Sequence, residues 1–309
     1  MNITRRSMLL STAAGFGSAL LAAPAQNAPH LNFPSGARER LAVTSWPFRA
    51  YIESPENTGR DRSKPGMDLT EFPAMVRKKF GVTNINPLSG HFRSTDPAHL
   101  DKFREATAKA GSHFVDLGLS GKNFCETEPA ARAAALDYGK KWIDIAKVLG
   151  SPSVRQHLHL PAGASRDAAT AAQNLGEMAA YGSKKGIVVL LENDSAISED
   201  PFFIVDVIER VKSPYLRALP DFGNSLQGHD RAFNERAVTA MFKHACNMSH
   251  VKDMIRTKDG KEYRVDLAPM FAIAKASGYR GYFSMEVDTN SHDPFEGTQK
   301  LVDVSLKYL

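Results

Sequence analysis

Four apolar runs in this chain deliver a possible metal ligand at their carboxyl ends. "VVLLEND" carries Glu192, "LPDFGNS" Asp221, "NMSHVKD" His250 and "YFSMEVD" Glu286. Successive members lie 29, 29 and 36 residues apart. Two glutamates, an aspartate and an imidazole form a mixed oxygen and nitrogen donor set. Such a set suits one divalent ion, manganese by preference, with magnesium, cobalt or zinc also compatible. Few thiols and many oxygens argue against a structural zinc site. Taken singly, a strand-end carboxylate reads as readily as a helix cap or surface charge, and a lone histidine as structural. The repeated position is what points to chemistry.

A spacing near 30 residues is the length of one β-α unit. Eight strand-like runs begin at Leu41, Val82, His113, Ser153, Ile187, Arg217, Met248 and Gly281. Amphipathic helical stretches separate them, most clearly from Ala130 to Gly150. Gly111, Gly150, Gly186 and Gly278 read as helix stops, and Asp96, Ser165, Asp200 and Asp266 as N-caps. Eight such units predict an α/β fold, a single-domain (β/α)8 TIM barrel over residues 41–309, preceded by an irregular lead-in at 26–40. An open doubly wound sheet is the alternative, weakened because no glycine-rich fingerprint follows the first strand. In a barrel, strands five to eight would aim Glu192, Asp221, His250 and Glu286 at one point above the carboxyl face. Gly223 reads as the residue that lets the backbone turn after Asp221. The polar segment Glu53–Gly66 falls on the same face and reads as a lid.

These residues carry a family resemblance. The chain resembles the xylose isomerase-like sugar isomerase and epimerase superfamily, which includes tagatose epimerase-like enzymes and inosose dehydratases. The resemblance runs from "TSWPF" through "WIDIAKVLGSPSVRQH" to "FSMEVD", and "LPDFGN" and "HVKD" are its most specific parts. It implies one divalent ion held by Glu192, Asp221, His250 and Glu286. It also implies that the catalytic residues Glu192 and Glu286 move the proton. Tagatose epimerases place a substrate-binding Arg six residues after the metal His, a position filled here by Arg256. They place a substrate-binding His three residues after the Asp, where this chain departs with Asn224.

Other residues are candidates on their own positions. Arg155, His157 and His159 alternate along strand four, so they share one face; Arg155 and His157 would reach substrate hydroxyls or serve the barrel structurally. Lys252, two residues after His250, would bind an oxyanion, balance the carboxylates or remain solvated. Trp46 and Phe48 follow strand one and would form an apolar wall for a sugar or join the core. His91 is a candidate sugar contact or second-metal ligand.

Such a site predicts an isomerase or epimerase of a sugar or keto-sugar, with proton transfer through an enediolate. Loss of a β-substituent from that intermediate gives the alternative, a metal-dependent lyase or dehydratase acting on oxidised (3-keto) sugars or glycosides. An endonuclease IV-like phosphodiesterase fits less well, because that pattern needs a His at position 224 and an Asp-x-His after strand seven. A non-catalytic sugar-binding protein is a further reading, opposed by the two intact glutamates. The expected partner is a small carbohydrate without phosphate, since no phosphate cradle is present; self-association is left open.

The first 25 residues read as a leader rather than as fold. Arg5 and Arg6 precede an apolar run from Met8 to Ala23, and "APA" ends at Ala25. The run is too short and too rich in small residues to span a membrane, so no stable membrane association is expected after processing. The twin arginine marks a bacterial export route for folded proteins, which implies the twin-arginine export machinery as a partner and a periplasmic or exported product. Without these arginines, 37 basic residues face 34 acidic ones, a balance that does not call for nucleic acid. Cys125 and Cys246 either pair in that compartment or remain separate thiols. Changing Arg5 and Arg6 together to lysine should leave the protein uncleaved in the cytoplasm, followed by fractionation and immunoblotting. Normal export of the double variant would reject the assignment.

Overall fold

Each strand-like run pairs in parallel with its neighbours, and the pairing closes on itself. The computed structural model describes residues 27–158, 166–194, 200–257, 259–289 and 293–309. The leader, Ser165 and His159 lie outside them. The ring contains β1 (Leu41–Thr44), β2 (Asn84–Asn86), β3 (His113–Phe114) with β4 (Leu117–Gly118), β5 (Ser153–Gln156), β6 (Val188–Glu192), β7 (Leu216–Leu219), β8 (Met248–Val251) and a last barrel strand at Tyr282–Met285. The third run is thus two short pieces instead of one strand. A small antiparallel hairpin, β9 (Met254–Arg256) with β10 (Glu262–Arg264), follows β8, which makes Tyr282–Met285 β11.

The two parallel sheets run β3-β2-β1-β11-β8 and β4-β5-β6-β7. Isolated bridges close the seams: Leu88 to Gly118 on one side, Ala218 to Ala245 and Asp221 to His250 on the other. Two of the four candidate ligands therefore form part of the second seam. The helices α1 (Phe72–Phe80), α2 (Pro97–Lys109), α3 (Pro129–Leu149), α4 (Ala168–Lys185), α5 (Pro201–Val211), α6 (Arg231–Phe242), α7 (Leu267–Ala276) and α8 (Pro294–Ser305) alternate with the strands. This is the expected (β/α)8 barrel.

The helices begin and end where their chemistry dictates. Asp200 accepts hydrogen bonds from Phe202 N and Phe203 N, and Asp266 accepts one from Ala268 N. Asp96 holds the N-cap position of α2 without a side-chain cap bond, and Asp167 caps α4. Gly150 and Gly186 end α3 and α4 in the left-handed conformation, with φ of 78° and 74°. Strands and helices bury one continuous apolar core, whereas the barrel interior is polar: Asn84, Asn86, Ser153, Ser249 and Ser284 are all buried. Those groups are paired, as burial requires: Ser284 donates to Asn86 Oδ1 at 2.5 Å and Ser249 to Pro220 O at 2.6 Å. Cys125 and Cys246 are both free thiols, so the pairing alternative falls.

Candidate metal centre

The four strand ends meet. One ligand atom from each of Glu192, Asp221, His250 and Glu286 lies within 4.8 Å of the others, and all four residues are buried. His250 Nδ1 is 2.5 Å from Glu192 Oε1 and 3.4 Å from Glu286 Oε2.

Local structure fixes each member. Asp221 Oδ1 accepts from Gly223 N at 2.8 Å and Asn224 N at 2.7 Å, a turn that locks the carboxylate and turns Oδ2 away. Oδ2 is buried without a hydrogen bond, 3.3 Å from Lys252 Nζ. Asn193, which sequence reasoning passed over, clamps the same turn: its Oδ1 accepts from Asp221 N at 2.8 Å, and its Nδ2 donates to Asp221 O at 3.2 Å. Gly223 has φ −123°, open to any residue. It is needed for space instead, because a Cβ there would lie 2.8 Å from Val265 Cγ2 and 3.0 Å from Lys252 Cγ.

Cations neutralise the cluster. Lys252 is buried rather than solvated; Nζ lies 3.1 Å from Glu286 Oε2 and donates to Asn224 Oδ1 at 2.9 Å. Burial opposes its charge, but Asp221 and Glu286 hold its pKa above the ordinary value. Arg155, also buried, stands 3.2 Å from Glu192 Oε2 and donates to His157 Nε2. Burial works against the charge of Glu192 too, yet His250 and Arg155 hold its carboxyl below the usual range. Against the same burial penalty, Glu286 and Glu192 push His250 up to about 9. Asp221 is raised to about 6, by burial first, with Lys252 opposing and the two glutamates adding.

The remaining candidates divide between floor and rim of a cavity of about 580 Å³ that the cluster opens into. Asn224 is on the floor, with Nδ2 buried and unpartnered. Lysine has only donors, so Lys252 must face the amide oxygen, and that leaves the Asn224 N–H groups for a ligand acceptor. His91 lines the cavity outside the metal cluster. Its Nδ1 is 2.7 Å from Ser45 Oγ, and burial, with Arg49 adding, depresses it to about 3. Ser45 Oγ also accepts from Leu88 N at 2.9 Å. His157 lines the cavity 3.7 Å from Asp194. Arg256 sits at the rim on the β9–β10 hairpin, its guanidinium 3.7 Å from Glu262 and its backbone N–H bonded to Asp288 at 2.6 Å. Trp46 lines the cavity at 43% exposure, but Phe48 does not join it. The 3-10 turn Trp46–Phe48 sends Phe48 into the core against Phe72 and Phe295.

Residues 76–308 match the xylose isomerase-like TIM barrel family. The chain belongs to that family. No curated protein matches it by sequence. Solved structures of similar fold include a xylose isomerase-like TIM barrel protein from Mycobacterium smegmatis in complex with magnesium, at TM-score 0.68 and 17% identity over 89% of this chain and 98% of that one. D-psicose 3-epimerase with D-tagatose, from Clostridium cellulolyticum H10, superposes at TM-score 0.69 and 13% identity over 87% and 99%. D-allulose 3-epimerase from Methylomonas sp., in complex with D-allulose, gives 0.65 and 17% over 90% and 99%. At these identities the likeness establishes the barrel.

The donor set fits a divalent ion: an orphaned buried carboxylate oxygen, two further carboxylates and an imidazole face one point. The purified protein should hold about one divalent ion per chain, and His250→Ala or Asp221→Ala should each lose most of it by elemental analysis. Full metal content in both variants would place the ion elsewhere.

Proposed function

We propose that the protein is a divalent-metal-dependent isomerase or epimerase of a sugar or keto-sugar, acting outside the cytoplasm. The observation that carries this reading is the convergence of two glutamates, an aspartate and a histidine on one buried point, with the two glutamates lining the cavity above it. The epimerase structures of similar fold support it. A divalent ion in that position supplies Lewis acidity to a bound carbonyl.

The chain's own residues do the rest. Glu192 and Glu286 are held ionised at neutral pH, the state in which a carboxylate accepts a proton. Acceptance by one and return by the other on the opposite face inverts a carbon. Return to the neighbouring carbon moves the carbonyl. Asn224 Nδ2 and the Arg256 guanidinium orient substrate oxygens, and burial of the floor keeps water from the reacting proton.

A second reading is a lyase or dehydratase acting on oxidised (3-keto) sugars or glycosides. It uses the same proton removal followed by loss of a β-substituent. The 580 Å³ cavity favours it by leaving room for a departing group beyond a ring on the floor. Mass spectrometry of candidate sugars in D₂O separates the two: deuterium uptake without mass loss marks an isomerase, fragment release a lyase.

Glutamine keeps the size of glutamate but removes its charge and most of its basicity. Glu192→Gln and Glu286→Gln, compared at saturating Mn²⁺, should each lower turnover by roughly 10² or more. The variant lacking the base should also stop exchanging the substrate's α-proton with solvent. Near wild-type rates in both variants with metal bound would reject two-carboxylate proton transfer.

A further inference from the structure

The cavity has a floor and a rim, and the rim is built from residues that the metal centre does not use. Glu192, Asn224, Lys252, Arg155 and Glu286 on the floor are all at or below 9% exposure. They already supply a charged and hydrogen-bonding surface for one sugar ring. Above them the cavity continues to Trp46, Arg49 and the loop residues Glu56–Gly59.

This rim is anchored. Ser54 Oγ makes hydrogen bonds to Gly90 O at 2.7 Å and Phe92 O at 3.0 Å, tying the loop to the segment after β2. Asn57 Nδ2 donates to Arg49 O at 2.8 Å and Ile52 O at 2.7 Å. A Cβ at Gly59 would fall 2.9 Å from Arg49 Cδ, so the loop closes on the Arg49 stem only because residue 59 has no side chain. The Arg49 guanidinium, 4.2 Å from the Trp46 ring centroid, donates through Nη1 to Trp46 O at 3.0 Å. It pairs with no carboxylate among the described residues, although it lines a cavity. A half-buried cation that Asp288 and Glu286 act on only from beyond ion-pair distance, stacked on an indole that stays 43% exposed, keeps donors for a ligand. An indole offers a flat apolar surface to the C–H face of a pyranose, and a guanidinium offers a fork to its hydroxyls.

We propose that Trp46, Arg49 and the Glu56–Gly59 loop form a second subsite that takes the outer ring of a disaccharide or glycoside while its inner, carbonyl-bearing ring lies on the acid cluster. This rests on the carbohydrate reading above and adds the size of the substrate. Trp46 is the anchor of the outer ring, Arg49 its polar contact, and Gly59 sets where Arg49 stands.

Ketose disaccharides test it against their own monosaccharide. Full-length processed protein loaded with Mn²⁺ is titrated by calorimetry with fructose, psicose, lactulose and maltulose. Tryptophan fluorescence gives an independent readout: of the two tryptophans, Trp142 is buried, so acrylamide quenching reports mainly on Trp46. Lactulose or maltulose should bind roughly tenfold more tightly than fructose and shield Trp46 from quencher. Trp46→Ala should collapse that ratio towards one, Trp46→Phe should retain most of it, and Gly59→Ala should reduce it by displacing Arg49. Thermal melting checks that each variant is folded. Equal affinity for one ring and two, or an undiminished ratio in Trp46→Ala, would overturn the second subsite and leave the carbohydrate reading standing. Failure of every saccharide to bind the loaded protein would overturn both.

Discussion

Three carboxylates buried around one point repel one another, and the upper part of the barrel is organised to compensate for that repulsion. Two unit charges 4 Å apart interact by about 4 kcal/mol at an effective dielectric of 20. Glu192, Asp221 and Glu286 therefore need cations that cannot drift into solvent. Lys252, Arg155 and protonated His250 supply three, each within 3.4 Å of a carboxylate oxygen. Once placed, these cations fix other groups. Lys252 dictates the orientation of the Asn224 amide, and Arg155 sets where both Glu192 and His157 stand.

The same demand explains why the site suits a divalent ion. A ligand imidazole must be neutral, so a cation entering among these carboxylates takes over the role of the proton on His250. Asp221 is prepared for it: one oxygen is spent on the turn formed with Gly223 and Asn224, and the other is left without a donor. The Asp221–His250 bridge also belongs to the seam between the two sheets, so the site lies where the barrel closes.

The barrel and its four acid and imidazole ends were legible in the chain because a strand has period two and a β-α unit a nearly fixed length. Residue type and position together specified Glu192, Asp221, His250 and Glu286 without any contact being known. What escaped was set by packing at short range. Phe48 and Trp46 are two residues apart and both aromatic, but a 3-10 turn through Pro47 points one to the core and the other to the cavity. Gly223 was legible as necessary, for the wrong reason: the neighbours that crowd it, Val265 and Lys252, are distant in sequence. Lys252 carries no sign of burial in its own segment, since the acids that hold it come from β7 and β11. The Asn193 clamp and the placement of Arg49 depend on a pairing 28 residues away or on a loop closing over a stem. No periodicity encodes either.

The central claim is that the carboxyl ends of β6, β7, β8 and β11 hold one divalent ion between Glu192, Asp221, His250 and Glu286. Anomalous diffraction from crystals grown with Mn²⁺ tests it most directly. The account predicts a single strong peak about 2.0–2.3 Å from an atom of each of the four residues. A peak centred on other side chains, His91 for example, or none at all with Lys252 still seated among the carboxylates, would contradict it.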